Sequence, residues 1–408
     1  MATGTISQAA KSALHRTHEL IQRYGPRLAG SPESAQVAME LAGEYDRYCH
    51  HTTMDEFAVR PFAFLGFLKV APLFNIAAAL VLFLFPEYYL IAALGFTLAS
   101  TWAFSQFICY GELFDPLYKR KKGFNVSGII EPIEPPRQQV IVSGHHDSAY
   151  EFRYMSDSPK LYRLIVLFIV LSFGVSPFII WLFTIYAAIT GQAGIVGEIV
   201  RWALLSNIVF AIPMLFFTKK EGTPGAGDNL IASSITVELA RMFGKKAPKA
   251  NRPRYTRIIL ASFDAEESGI RGARAYARMH REELTSMPTW LFNMDSLYYT
   301  HRIKFLTRDL NGFIKLSSQM ADDCSRIAHS LGYNAEPFAL YPGAGATDAA
   351  ELAKIGVHAT TLIALATEPE KEESVYHTQD DTVDSIEPGV VEAAISIAAG
   401  FIKEKDGS

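Results

Sequence analysis

Gln139-Val140-Ile141-Val142-Ser143 runs directly into Gly144-His145-His146-Asp147. A short apolar run closed by ionisable residues is the pattern of a buried strand whose carboxyl end faces a ligand. The pattern repeats. Thr256–Ser262 leads into Phe263-Asp264-Ala265-Glu266-Glu267-Ser268-Gly269, Thr289–Met294 ends at Asp295, and Thr360–Ala364 reads as a further strand. Helical spacing fills Leu230–Phe243, Arg271–His280, Leu316–Leu331 and Val390–Ile402. Ser31-Pro32-Glu33 reads as a helix start, with Ser as cap and Pro in the first turn, leading into Ala35–Tyr48. Strands alternating with helices predict an α/β fold: a mostly parallel mixed sheet flanked by helices.

Composition splits the chain in two. The 408 residues are 49% hydrophobic and 20% charged, with 38 Lys+Arg against 42 Asp+Glu. That balance excludes a disordered chain, and the lack of a basic excess argues against a nucleic-acid partner. Val70–Phe85, Tyr88–Tyr110, Leu164–Thr190 and Trp202–Thr218 contain no Asp, Glu, Lys or Arg, so every such residue falls on the remainder.

About 20 apolar residues carry a helix across a bilayer. Two runs reach that length unaided; the first extends back to Phe62 past Lys69, and the fourth back over Arg201. Pro177 and Pro213 are tolerable there, because neighbouring groups satisfy the freed carbonyls. The expectation is two transmembrane hairpins, with tips at Pro86-Glu87 and Gly191–Glu198. The opposite ends carry the cations: Arg60, Lys119 to Lys122, Lys160, Arg163, Lys219 and Lys220. The positive-inside rule then places these ends, both termini and the polar part of the chain on the cytoplasmic side. Met1–Pro61 has no apolar signal sequence and is polar and helix-patterned. Cys49, Cys109 and Cys324 are too few and too scattered for a disulfide framework. The organisation expected is a catalytic domain from 1–60, 123–152 and 219–408, interrupted by hairpins at 61–122 and 153–218.

The ionisable residues gather where the strands end. Besides those quoted, Gly225-Ala226-Gly227-Asp228-Asn229 opens a helix, and Tyr376-His377-Thr378-Gln379-Asp380-Asp381-Thr382 lies in a loop. Singly, each has an ordinary reading as a cap, a turn or a solvated helix start. Together, His, Asp, Glu, Asp and His supply enough N and O ligands for two zinc ions sharing one carboxylate. The adjacent Glu-Glu can divide labour, one binding metal and one facing the water.

The set resembles the family M28 metallopeptidases, the co-catalytic zinc aminopeptidases. Their order of His-x-Asp, Asp-Asn, Glu-Glu-x-Gly-x-x-Gly, Asp, Ser/Thr-Asp and Tyr-His-Thr is similar to His145-His146-Asp147, Asp228-Asn229, Glu266 to Gly272, Asp295, Thr347-Asp348 and Tyr376-His377-Thr378. Tyr24-Gly25-Pro26-Arg27-Leu28-Ala29-Gly30-Ser31 is similar to the family's opening segment. The resemblance implies that Asp228 bridges two Zn²⁺ ions. His145 and Asp295 would complete one, and Glu267 and His377 the other. Glu266 would be general base toward a dizinc-activated water, Asp147 would orient His145, and Asn229 and Asp348 would lie behind the metals or on the substrate side. His146 competes with His145, and the His-x-Asp spacing favours His145. In two places the chain departs from the family: 83 positions separate His145 from Asp228, and Ala349 and Glu351 stand where His and Pro usually follow Ser/Thr-Asp.

The expected function is a membrane-embedded zinc aminopeptidase releasing N-terminal residues from peptides, apolar ones among them. The partners expected are a peptide substrate and the lipid bilayer; the oligomeric state is open. A glutaminyl-cyclase-like aminoacyltransferase using one zinc, and an amidase of N-acyl or lipid-linked amides, are the alternatives. An inactive scaffold is disfavoured because all five candidate ligands are present.

Overall fold

The computed structural model describes residues 3–365 and 375–407. The chain forms two compact units. One comprises Met1–Pro61, Arg120–Glu151 and Glu221–Ser408, the other Phe62–Lys119 and Phe152–Lys220.

The strands are β1 (His51–Val59), β2 (Lys121–Ile130), β3 (Gln138–His145), β4 (Tyr150–Phe152), β5 (Thr218–Gly222), β6 (Thr256–Phe263), β7 (Thr289–Leu297), β8 (Lys304–Asp309), β9 (Ile314–Lys315), β10 (Glu336–Ala339) and β11 (His358–Ala364). The main sheet runs β1-β2-β6-β3-β7-β11-β8-β10, with β9 beside β8; β4 and β5 pair separately. The centre is parallel: β3 lies between β6 and β7, and β11 follows β7. The flanks are mixed, with β1-β2, β2-β6 and β11-β8 antiparallel. The sheet is therefore mixed and mostly parallel at its core, as the alternating pattern predicts.

The central strands are apolar because both faces are covered. β3 sends Val140 and Val142 into one cluster and Ile141 into the other. Helices Thr3–Tyr24, Pro32–Tyr48, Ile231–Phe243, Ser318–Ser330 and Pro388–Gly407 supply the first cluster. Arg271–Met279 and Ala349–Ala353 contribute to the second. Ser31 caps Pro32–Tyr48 as its sequence predicts, its Oγ accepting from Ser34 N at 3.1 Å.

Three readings change. The N-terminal segment expected to be helical ends in a strand, β1, because Phe57 and Val59 bury one face while Glu56 and Ala58 stay exposed. Thr289–Met294 does not stop before Asp295, since β7 continues to Leu297. β2, whose first residues belong to a cation cluster, pairs on both sides.

His280 ties the helical layer to that edge. Its Nε2 lies 2.7 Å from Asp55 Oδ2 and its Nδ1 3.5 Å from Glu283 Oε2. Hydrogen bonds to these carboxylates, against partial burial, raise its pKa from 6.5 to about 9. A raised folded-state pKa gives stability that is fully present below 6.5 and fades as pH rises through about 9. His280→Gln is therefore expected to cost about 1 kcal/mol near pH 6 and almost nothing near pH 10. Denaturation midpoints of both proteins across that range test this; a pH-independent difference would refute it.

Among the described residues, four helices are long and apolar enough to cross a membrane: Pro61–Leu84, Pro86–Ile108, Leu164–Thr190 and Gly194–Met214. The fourth starts earlier than its uncharged run, so the second hairpin tip is shorter than read. Glu198 and Arg201, which broke the run, pair at 2.8 Å one turn apart, and Arg201 Nη2 also donates to Phe83 O at 2.7 Å. That helix bends at Ser206-Asn207, between Gly194–Leu205 and Ile208–Met214. Close packing comes from small residues: a Cβ on Gly95 would stand 2.9 Å from Ala78 Cβ. Buried polar groups pair across helices, Asn75 Nδ2 donating to Ser172 Oγ at 3.0 Å and Asn207 Nδ2 to Ser176 Oγ at 2.7 Å. Leu73, Leu94, Phe178, Leu182 and Ile189 are exposed. The side chains of Lys160 and Arg163 lie outside the described ones.

Candidate metal centre

β3 ends at His145, β6 runs into Glu266 and Glu267, and Asp295 lies in β7. These three adjacent parallel strands deliver their last residues to one end of the sheet, where ligands gather in open α/β folds. The turn at Gly225–Asn229 brings Asp228 to the same place, and the loop after β11 brings His377. Two groups result that share one carboxylate: His145, Asp228 and Asp295, and Asp228, Glu267 and His377, with ligand atoms within 4.8 Å of one another. Asp228 Oδ1 is 3.3 Å from His145 Nε2, and its Oδ2 is 3.1 Å from His377 Nε2. Glu267 Oε1 is 3.3 Å from the same His377 nitrogen.

His145 Nε2, Asp228 Oδ2 and Glu267 Oε1 are buried and make no hydrogen bond. Buried polar atoms are normally satisfied, and a divalent cation placed among these would satisfy them together. The titration of the centre points the same way. Burial alone would lower both imidazoles. Instead the Asp147, Asp228 and Glu266 carboxylates hold His145 well above its ordinary range, and Glu267 and Asp228 push His377 to about 10. Burial would likewise raise Asp228, and the two histidines hold it below its usual value. Protons on the histidines thus hold positive charge among carboxylates, which is what a bound metal does in their stead. Two nitrogens and three carboxylates fit zinc.

Glu266 lies beside them, its Oε2 3.8 Å from His145 Nε2, and forms a third such group with His145 and Glu267. Burial, with the charges of Asp295, Glu267 and Asp348, raises its carboxyl well above the ordinary range despite His145. Asp147 does two things. Its Oδ1 is 3.3 Å from His145 Nδ1, and its two oxygens accept from Glu266 N and Glu267 N at 3.1 and 3.2 Å. The second role needs the fold, because those amides lie 119 and 120 positions away.

The glycines of the Glu-Glu motif have distinct reasons. Gly269 has φ +87°, and a Cβ on Gly272 would meet Asp264 O at 1.8 Å. Left-handed non-glycine residues cluster here too: Ala265 precedes Glu266, Ser296 follows Asp295, and His377 is itself one, with φ of 60°, 53° and 55°. Such conformations persist where the surroundings over-determine them, often at functional sites.

His146 is not brought to the cluster. Its Nδ1 lies 2.8 Å from Ser262 Oγ, which contacts Ser233 Oγ at 2.7 Å, and burial pushes its imidazole down to about 3. Asn229 anchors the Asp228 turn, donating from Nδ2 to Met294 O at 2.8 Å. Asp348 is fully buried with both carboxylate oxygens free of hydrogen bonds, and burial raises it well above its ordinary value. Thr347 before it is fixed by Asp309, whose oxygens accept from Thr347 N and Oγ1 at 2.9 and 2.6 Å. Glu351, at one departure from the family pattern, forms an ion pair with Arg274 at 2.8 Å. Nothing in the sequence singles out Asp309 or Asp381; the Asp381 carboxylate accepts from Gly227 N at 2.8 Å.

Residues 213–402 match peptidase family M28. A probable glutamate carboxypeptidase of Arthroderma benhamiae is 38% identical over 71 residues, 17% of this chain; the chain spans about a tenth of that relative's length. Among solved structures, a Zn-dependent exopeptidase from Parabacteroides distasonis aligns with TM-score 0.56 and 14% identity, covering 96% of this chain and 97% of that one. A zinc aminopeptidase from Bacillus subtilis gives 0.56 and 15% (97% and 95%), and a glutaminyl cyclase from Fimbriiglobus ruber 0.55 and 13% (97% and 94%). At these identities the likeness is one of fold.

Proposed function

We propose that the chain, whose residues 213–402 match peptidase family M28, is a metallopeptidase of that type and acts as a membrane-embedded zinc aminopeptidase. The observation that carries this is Asp228, whose two oxygens face a histidine each, His145 on one side and His377 on the other. A carboxylate so placed suits two zinc ions, one completed by His145 and Asp295, the other by Glu267 and His377. Zinc bound there would supply Lewis-acid polarisation of the scissile carbonyl.

The chain's own residues do the rest. Glu266 takes the proton of the attacking water and passes it to the leaving amine. A carboxyl raised by burial is suited to both halves. Asp147 orients His145 and holds the two amides that aim Glu266 and Glu267. Asn229 keeps the Asp228 turn against β7, and Asp348 contributes negative charge on the substrate side.

The four apolar helices support membrane insertion. The flanking cations Arg60, Lys119 to Lys122, Lys219 and Lys220 support a cytoplasmic catalytic unit, assembled from 1–60, 123–152 and 219–408. Protease protection in vesicles of both orientations tests this; cleavage of the catalytic unit only from the outer face would reverse the orientation.

The deciding experiment is zinc content together with a peptide panel. About two zinc ions per chain and release from unblocked peptides alone establish aminopeptidase action. One zinc with cyclisation of N-terminal glutamine would favour the glutaminyl-cyclase reading, and turnover of N-acylated substrates alone would favour the amidase.

A further inference from the structure

Arg27 is one of the largest fully buried side chains among the described residues, and the proposed chemistry does not use it. A guanidinium is costly to bury, so the partners it finds indicate what it holds. Its Nε donates to His146 O at 2.8 Å. Its Nη1 donates to Gly25 O at 3.0 Å and Pro224 O at 2.8 Å, and its Nη2 to Gly225 O at 2.8 Å. Its backbone is tied as well: Arg27 N donates to Ser148 Oγ at 2.9 Å, and Ser148 N to Arg27 O at 3.0 Å.

These contacts join three distant pieces of chain. One is the opening segment at Gly25–Arg27, one the end of β3 beside His145 and Asp147, and one the turn that carries Asp228. That turn has no slack on the Arg27 side, because a Cβ on Gly225 would lie 2.9 Å from Nη2 and 2.7 Å from Ser148 Cβ. Asp381 holds its other side, accepting from Gly227 N at 2.8 Å and Asp228 N at 3.3 Å. A cation bonded to carbonyls and a carboxylate bonded to amides thus hold four of the five residues from Pro224 to Asp228.

We propose that Arg27 is a positioning residue for the metal centre: its guanidinium fork locks the Asp228 turn to the His145 strand and so sets the spacing between the two ligands. This rests on the zinc-peptidase reading. Arg27 touches neither substrate nor metal and acts through the backbone. A lysine would keep the charge but reach one or two carbonyls instead of four, so charge and geometry are separable.

The test is zinc binding by the full-length chain in detergent, stripped of metal and titrated against a competing chelator. Arg27→Lys is compared with wild type, with thermal unfolding of both metal-free proteins alongside. Removal of a residue that orients ligands costs roughly 10- to 100-fold in metal affinity. The expected result is a loss in that range for Arg27→Lys, beyond any change in the metal-free melting temperature. Zinc affinity within threefold of wild type overturns the proposal. Should Arg27→Lys fail to fold, Ser148→Ala removes one strut and leaves the guanidinium. A several-fold loss supports the clamp, and unchanged affinity overturns it. Wild-type protein that takes up no zinc defeats the zinc-peptidase reading itself, whereas equal zinc uptake by wild type and variant defeats only the clamp.

Discussion

Glu266→Gln is expected to lower kcat by 10²- to 10⁴-fold while leaving zinc content and stability close to wild type. Glutamine keeps the volume and one acceptor oxygen but cannot accept or release the proton. Glu266 N still donates to Asp147, so the backbone of the Glu-Glu turn stays where Glu267 needs it. The side chain is in neither of the two carboxylate-sharing groups proposed to hold zinc, although it lies close to a member of each, His145 and Glu267. The measurement is single-turnover hydrolysis of an unblocked peptide on protein of verified metal content. Turnover within a few-fold of wild type would move the base to another carboxyl, with Asp295 and Asp348 the neighbours to examine next.

Asp228→Ala should act on the opposite quantity. Both ligand groups lose an oxygen at once, because Asp228 belongs to each. Zinc should fall from about two per chain to one or none, with activity below detection. Full occupancy of both sites in the variant would exclude a bridging role. The pair of variants is diagnostic: one removes hydrolysis and keeps metal, the other removes both.

Much of this centre can be read from sequence because each candidate ligand sits in a short local phrase, at a strand end or in a loop. His145, Glu266 and Asp295 need only their own strands to be placed. What resists such reading is long-range. The four carbonyls held by Arg27 lie 2, 119, 197 and 198 positions away, so nothing beside Arg27 marks it. Asp147 could be read as a partner of His145, two residues back, but not as the acceptor for Glu266 N and Glu267 N. β1 escaped because an edge strand with one solvated face, beginning two residues after a helix, has little apolar signal. The fourth long helix begins before its uncharged run because Glu198 and Arg201 cancel one another's charge only once the helix has formed.

The order in which the unit is threaded bears on how the protein is made. Helix Thr3–Tyr24 is made before both hairpins, yet its apolar face, Ile6 to Ala13, belongs to a cluster completed by residues as late as Phe401 and Ile402. Part of that cluster, from helix Pro32–Tyr48 through β3, is made before the second hairpin, and the rest, helix Ile231–Phe243 included, comes only after both hairpins. Both apolar hairpins emerge before Asp228, Glu267 and His377 exist. On the proposed topology, a nascent chain is therefore committed to the bilayer before the residues proposed to hold zinc have all been made.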